Sequence, residues 1–172
     1  MISSFDKIHD CFRLNDKHFS KNELLTLAQS YIYKSNSHQR QLGNFLIDWF
    51  DSKDFILSKT SGSTGSPKTI KIKKQAMVNS AIATGEYFKL KPRNKAILCL
   101  PTQAISGKMM FVRALVIGLE LDIIKPSKSI NISMSKQYDF CALTPMQLKA
   151  SLMKVNNIKT IIVGGAAVNS VL

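Results

Sequence analysis

The chain has 172 residues, enough for one domain with a sizeable core. Apolar residues make up 45% of it and mean hydropathy is close to zero, which excludes a disordered chain, and no apolar run nears the roughly 18 residues needed to cross a bilayer. The net charge of +13 is unevenly placed: residues 1–59 hold 8 Lys/Arg against 7 Asp/Glu, and residues 60–172 hold 16 against 4.

The first twenty residues are polar and poorly patterned. Ser20 followed by Glu23 has the form of a capping box, so a helix should start there, with Leu24, Leu27, Ala28 and Tyr31 on one face. A second helix is predicted over about 37–51, with Leu42, Phe45, Leu46 and Trp49 as its apolar stripe. At Phe55 the texture changes. Phe55-Ile56-Leu57 reads as a short strand, and residues 69–73 alternate polar and apolar as a half-exposed strand does. A helix over 75–90 should follow, then a wholly apolar strand over 96–100 and a helix over about 107–119. Strands are predicted near 121–124, 140–143 and 160–163, with a loop over 126–137 and a helix opening at Pro145 and running to about 155. Strand and helix alternate from about residue 95, which predicts an α/β fold with a mainly parallel sheet flanked by helices. The chain divides into a helical lead-in, 1–54, and an α/β domain, 55–172.

Cys11, Cys99 and Cys141 are odd in number and widely spaced, with no zinc or CxxC pattern. Reduced thiols, and no charged-then-apolar pattern after Met1, predict a cytoplasmic protein. The basic second part should attract anionic partners such as nucleotides, coenzyme A, dicarboxylates or nucleic acid. A solvated lysine-rich face, or an acidic remainder elsewhere in the protein, accounts for the same charge.

Between the strands at 55–57 and 69–73 lies Thr60-Ser61-Gly62-Ser63-Thr64-Gly65-Ser66-Pro67-Lys68. Glycines let backbone N–H groups approach an anion, hydroxyls add donors, and Lys68 supplies a charge that can reach a polyphosphate. The spacing is not that of a Walker A loop or a dinucleotide fingerprint. By composition alone, the stretch is either a phosphate cradle or a surface loop of small residues.

The order of residues in this stretch closely resembles the signature phosphate loop of the adenylate-forming superfamily: acyl-CoA ligases, luciferases and peptide-synthetase adenylation domains. Downstream, Leu100-Pro101-Thr102 with Ile105-Ser106-Gly107, then Thr144-Pro145-Met146-Gln147-Leu148, then Val163-Gly164-Gly165-Ala166-Ala167 resemble further segments of the family, in its order. Together they cover residues 55–172, and residues 1–54 show no match. The stretches around Met77 and around Lys108-Met109-Met110-Phe111-Val112-Arg113 look like the short o-succinylbenzoate–CoA ligases of menaquinone synthesis.

The resemblance implies a partial large N-terminal domain of an adenylate-forming enzyme. It implies ATP, Mg2+ and coenzyme A as cofactors, and activation of a carboxylic acid through acyl-AMP before thioester formation. Thr60, Ser61, Gly62, Ser63, Thr64, Gly65 and Lys68 would grip the phosphates, with Lys68 and Thr64 acting on the reacting centre. Gly164, Gly165 and Ala166 would floor the adenine and acyl sites. Ser106, Lys108 and Arg113 are candidates for the carboxylate of o-succinylbenzoate that does not react. Lys71, Lys73 and Lys74 flank the loop and are read as surface charges. No residue is assigned to a metal, because the family's magnesium-binding stretch does not occur before Leu172. Nor do its ribose-binding Asp, hinge or lid lysine, so the chain is expected to be a fragment that does not turn over alone. Two rival readings stay open: a ligase for another acyl or aryl acid, and a non-catalytic basic module for nucleotides or nucleic acid. Against nucleic acid, the sequence has no aromatic-basic interleaving and no helix-turn-helix signal. No membrane partner is expected, and the oligomeric state is not read from the sequence.

Overall fold

The computed structural model describes residues 5–34, 36–59, 69–133 and 135–168. In chain order its strands are β1 (Arg13–Leu14), β2 (Phe55–Lys59), β3 (Thr69–Lys73), β4 (Lys95–Leu98), β5 (Glu120–Ile123), β6 (Tyr138–Leu143) and β7 (Ile158–Val163). Its helices are α1 (Lys21–Lys34), α2 (Ser37–Phe50), α3 (Lys74–Tyr87), α4 (Ile105–Ile117) and α5 (Pro145–Ser151), the last running into a 3-10 turn, Leu152–Lys154.

Local chemistry sets the helix ends. The Ser20 amide and hydroxyl both donate to Glu23 Oε2 at 2.7 Å, and the Glu23 amide donates back to Ser20 Oγ at 3.3 Å. This is the predicted capping box, and it holds the Glu23 carboxyl below its usual range, first through the Ser20 backbone donor. Asn36 caps α2 by accepting from the Gln39 amide at 3.3 Å. Helix α4 stops at Gly118, whose φ of +81° suits a residue without Cβ. A side chain there would also lie 2.4 Å from His9 Nδ1.

Five strands form one parallel sheet in the order β1-β5-β4-β6-β7, and β2 and β3 form a separate antiparallel hairpin. Strand residues alternate between two cores. Ala96, Leu98, Phe140 and Ala142 face a large cluster with residues of α1 to α4, while Ile97, Cys99, Cys141 and Leu143 face a smaller one with Ile130, Val155 and Ile158. Both faces are covered, which is why 96–100 and 140–143 read as unbroken apolar runs. Phe111 of α4 meets Phe12 and Phe45 edge-on, at ring separations of 5.9 and 6.1 Å.

The lead-in departs from the sequence reading. Arg13 and Leu14 pair in parallel with Glu120 and Leu121, so part of residues 1–54 is strand rather than helix. Phe12, Leu24, Phe45 and Trp49 share the large core with Phe111 and Leu121, so no packing boundary falls at residue 54. A two-residue strand is too short to show periodicity. A turn through Asn15 and Asp16, both at positive φ, holds it: Asn15 N donates to Leu121 O, and Ile123 N donates to Asn15 Oδ1, each at 2.9 Å. No helix among the described residues is long and apolar enough to cross a membrane.

Candidate active site

The hairpin frames the predicted phosphate loop. Its register pairs Phe55 with Lys73 and ends with Lys59 opposite Thr69, the described residues on either side of 60–68. Thr60, Ser61, Gly62, Ser63, Thr64, Gly65 and Lys68 lie outside the described residues. Of the lysines read as surface charges, Lys71 and Lys73 are exposed. Lys74 is a correction: it is fully buried, and its ammonium donates to Asp51 Oδ1 at 2.8 Å and to Asp51 O at 3.1 Å. Its amide also donates to Asp54 O at 2.7 Å, fastening the hairpin base to the end of α2. Burial tends to raise the Asp51 carboxyl, but the hydrogen bonds and charges of Lys74 and Lys53 together outweigh it, and the carboxyl is held below its usual range.

A cleft of about 210 Å3 opens at the ends of β6 and β7, Leu143 and Val163, and beside Leu100, two residues past the end of β4. Ligands of open α/β sheets bind at this edge, outside the carboxyl ends of the strands. Helix α4 supplies one wall: Ser106, Met109 and Arg113, spaced i, i+3 and i+7, lie on a single face and line the cleft. The helix can start there because Gly107 has no side chain; a Cβ would come 2.3 Å from Pro101 O. Thr144 and Gln147 form a capping box at α5, with Pro145 at its first turn. The Gln147 side chain then donates to Cys99 O and Ser127 O, each at 3.1 Å, tying α5 to the end of β4. Gly164 N donates to Leu143 O at 3.1 Å, which anchors the floor beyond β7.

Of the predicted residues, the structure gathers Ser106, Arg113, Gly164 and Gly165 in this cleft. Ala166 is exposed and does not line it. Arg113 is half-buried and donates to Thr84 Oγ1 at 3.3 Å and to Met110 Sδ at 3.6 Å. Among the described residues no carboxylate lies within ion-pair distance of it. Burial lowers its pKa, yet an arginine stays protonated near neutral pH. The result is a cation with unused donors on the wall of a mainly apolar cleft. No side chain beyond Gly164 or Gly165 closes the floor: a Cβ added at either would meet nothing within 4 Å. The volume lies below the roughly 300–1,000 Å3 of drug-sized pockets, so the cleft itself suits a small acid, and it is open beyond Gly164 and Gly165.

Lys108 does not join Ser106 and Arg113. It points to the other side of α4, is 7% exposed, and donates to Leu57 O on the hairpin at 2.8 Å. Two positions along a helix is about 200° of rotation, which removes Lys108 from the face of Ser106. It lines a second cavity of about 370 Å3 with Ser58, Thr102 and the α2 residues Gln41, Asn44 and Asp48. Sequence reasoning missed this cavity. Its one legible signal was the polar stripe Gln41, Asn44 and Asp48 at i, i+3 and i+7, which is set among apolar residues from Leu42 onward.

No family model matches the chain, and no curated protein matches its sequence. Solved structures do. The chain is similar to the acyl-CoA synthetase (AMP-forming)/AMP-acid ligase II-like protein of Dyadobacter fermentans, at 30% identity and TM-score 0.71 over 85% of this chain and 44% of that one. It is also similar to wild-type E. coli MenE with a bound analogue of OSB-AMS, at 16% identity and TM-score 0.61, over 95% of this chain and 53% of that one. The o-succinylbenzoate coenzyme A synthetase (MenE) of Bacillus subtilis, in complex with ATP and magnesium, is a third, at 20% identity and TM-score 0.53 over 63% and 24%. The chain thus spans about half the length, or less, of the synthetases it matches, and what it shares with them is their fold: an α/β layer that is part of the N-terminal domain of the adenylate-forming enzymes.

Proposed function

We propose that the chain carries part of an enzyme that activates a carboxylic acid with ATP and passes it to coenzyme A. An oxygen of the carboxylate bonds to the α-phosphorus of Mg-ATP and the α–β bridge breaks, giving acyl-AMP and pyrophosphate. The sulfur of coenzyme A then bonds to the acyl carbon, AMP leaves, and the thiol proton is lost. Residues 60–68 are assigned to the β- and γ-phosphates, where donors fixed in advance stabilise charge moving onto the leaving pyrophosphate. Lys68 and Thr64 are the loop's catalytic members. Gly164, Gly165 and Ala166 leave room for the adenylate beside the acyl group. The likeness to AMP-forming acyl-CoA synthetases supports the reaction class, and the cofactors ATP, Mg2+ and coenzyme A with it.

Within that class we favour o-succinylbenzoate as the acid. The carrying observation is Arg113, a cation without a carboxylate partner on the wall of a mainly apolar cleft. A substrate with an apolar body and two carboxylates matches it: one reacts, and the other meets Arg113, with Ser106 beside it at the mouth. Lys108 is withdrawn from this role because it faces the second cavity. The test incubates the complete gene product with Mg-ATP and o-succinylbenzoate, without coenzyme A, and measures acyl-AMP by mass spectrometry. An adduct that disappears in Lys68→Ala supports both the reaction and the acid. An adduct with other acids alone sinks the acid, and none with any acid sinks the reaction.

A further inference from the structure

We propose that the cavity between α2, the hairpin and the start of α4 binds a small oxyanion, a carboxylate or a phosphate, through Lys108, Ser58 and Thr102. It is separate from the cleft described above: the two share no lining residue and lie on different faces of α4. The proposal does not rest on the reaction proposed for that cleft. The cavity's volume of about 370 Å3 falls within the roughly 300–1,000 Å3 of small-molecule pockets.

Its polar groups carry the argument. Among the described residues, five buried side-chain nitrogen or oxygen atoms have no hydrogen-bond partner, on Gln41, Trp49, Ser58, Thr102 and Asn157. Three of the five, Gln41 Oε1, Ser58 Oγ and Thr102 Oγ1, belong to residues that line this one cavity. Buried polar atoms are almost always paired, and three of the unpaired ones belong to residues around one space. Ser58 and Thr102 are 3% and 4% exposed, and both line the cavity. Lys108 adds a charge. Its ammonium has three donors and uses one on Leu57 O, and among the described residues it forms no ion pair with any carboxylate. A buried ammonium with no carboxylate in ion-pair contact is unfavourable, and burial accordingly pushes its pKa down, an effect the more distant Asp48 opposes in part.

An ammonium and two hydroxyls are all donors that an oxyanion accepts from at once. The Gln41 amide adds a further donor by turning its NH2 inward, since its two ends are distinguished only by their hydrogen bonds. Asp48 is exposed and lines the same cavity, so its charge works against a highly charged anion and leaves one of low charge as the fitting class.

The test titrates the 172-residue chain with inorganic phosphate and, separately, malonate, followed by thermal unfolding and by amide NMR shifts. Sodium chloride at matched ionic strength is the control, because a chain of net charge +13 is stabilised by any salt. We expect saturable stabilisation by at least one anion, with shifts at Ser58 and Thr102. Binding should weaken at least tenfold in Lys108→Met and persist in Lys68→Ala, which separates this cavity from the loop at 60–68. The double variant Ser58→Ala/Thr102→Val should also lose binding while melting no lower than the parent without anion, since it removes unpartnered hydroxyls. This second variant decides the matter if Lys108→Met does not fold. Phosphate alone binding marks a phosphate site, and malonate alone a carboxylate site. Chloride reproducing the whole effect, or both variants binding like the parent, overturns the proposal.

Discussion

Replacing Phe12 by alanine tests whether the N-terminal segment is part of the core. Phe12 is fully buried and meets the Phe111 ring edge-on at 5.9 Å. Its neighbours Leu14, Phe45 and Phe111 are held by strand pairing and helix packing, so they cannot close around the space left. Burying a phenylalanine side chain is worth about 1.5–3 kcal/mol, and the cavity left behind brings typical Phe→Ala losses to about 3–5 kcal/mol. A chain of this size loses roughly 2–4 °C of Tm per kcal/mol, so the variant should melt about 6–20 °C lower. Urea unfolding followed by circular dichroism should show a lower midpoint at an unchanged slope. If the first twenty residues were only a polar tail, as their sequence suggests, the loss would stay within about 0.5 kcal/mol. A measured loss below about 1 kcal/mol would refute the placement of Phe12.

Gly107→Ala should cost about 1–3 kcal/mol, because its Cβ would meet the Pro101 carbonyl oxygen at 2.3 Å and backbone cannot swing aside as a side chain does; thermal melting reads it. Lys74→Met removes the buried one of Asp51's two lysine partners and leaves Lys53, and the Asp51 side chain keeps 26% exposure, so the loss should be about 1–3 kcal/mol, below that of a fully buried pair. Because the folded Asp51 carboxyl titrates below its unfolded value, its contribution is present above about pH 4 and is lost as pH falls through the folded pKa. The parent should therefore destabilise more steeply than Lys74→Met in acid melts below about pH 4. Arg113→Met should lower acyl-AMP formation from a dicarboxylic acid at least tenfold while changing that from a matched monocarboxylic acid little; equal losses for both acids would assign Arg113 to the fold instead.

Legibility in the sequence followed the length and regularity of each feature. The Ser20–Glu23 capping box predicts the start of α1, because the two side chains bond locally and need nothing from the rest of the chain. The strands at 96–100 and 140–143 read correctly as buried on both faces, since an apolar run without alternation leaves few other solutions. Ser106 and Arg113 line one cleft with Gly164 and Gly165, because the helix repeat and the strand ends bring them to one edge. What failed depended on distant partners. Lys74 looks like the other lysines of its stretch, and only Asp51, more than twenty residues away, makes it a buried clamp. Lys108 sits two positions from Ser106 in sequence, but the helix carries it to the opposite wall. Strand β1 is two residues long, and nothing local marks it.

That short strand has a consequence for how the chain assembles. Arg13 and Leu14 are made early but pair with Glu120 and Leu121, which are made late, so one border of the sheet closes only after most of the chain exists. Such a contact spans a long loop and is slow to form compared with the helical contacts between α1 and α2. Until it forms, β5 is an uncapped border, offering backbone groups to any other strand in reach. A shortened version starting near residue 20 would carry that border permanently. It should associate with itself through β5 even where its helices are intact, which makes the polar first twenty residues a guard against aggregation as well as a part of the core.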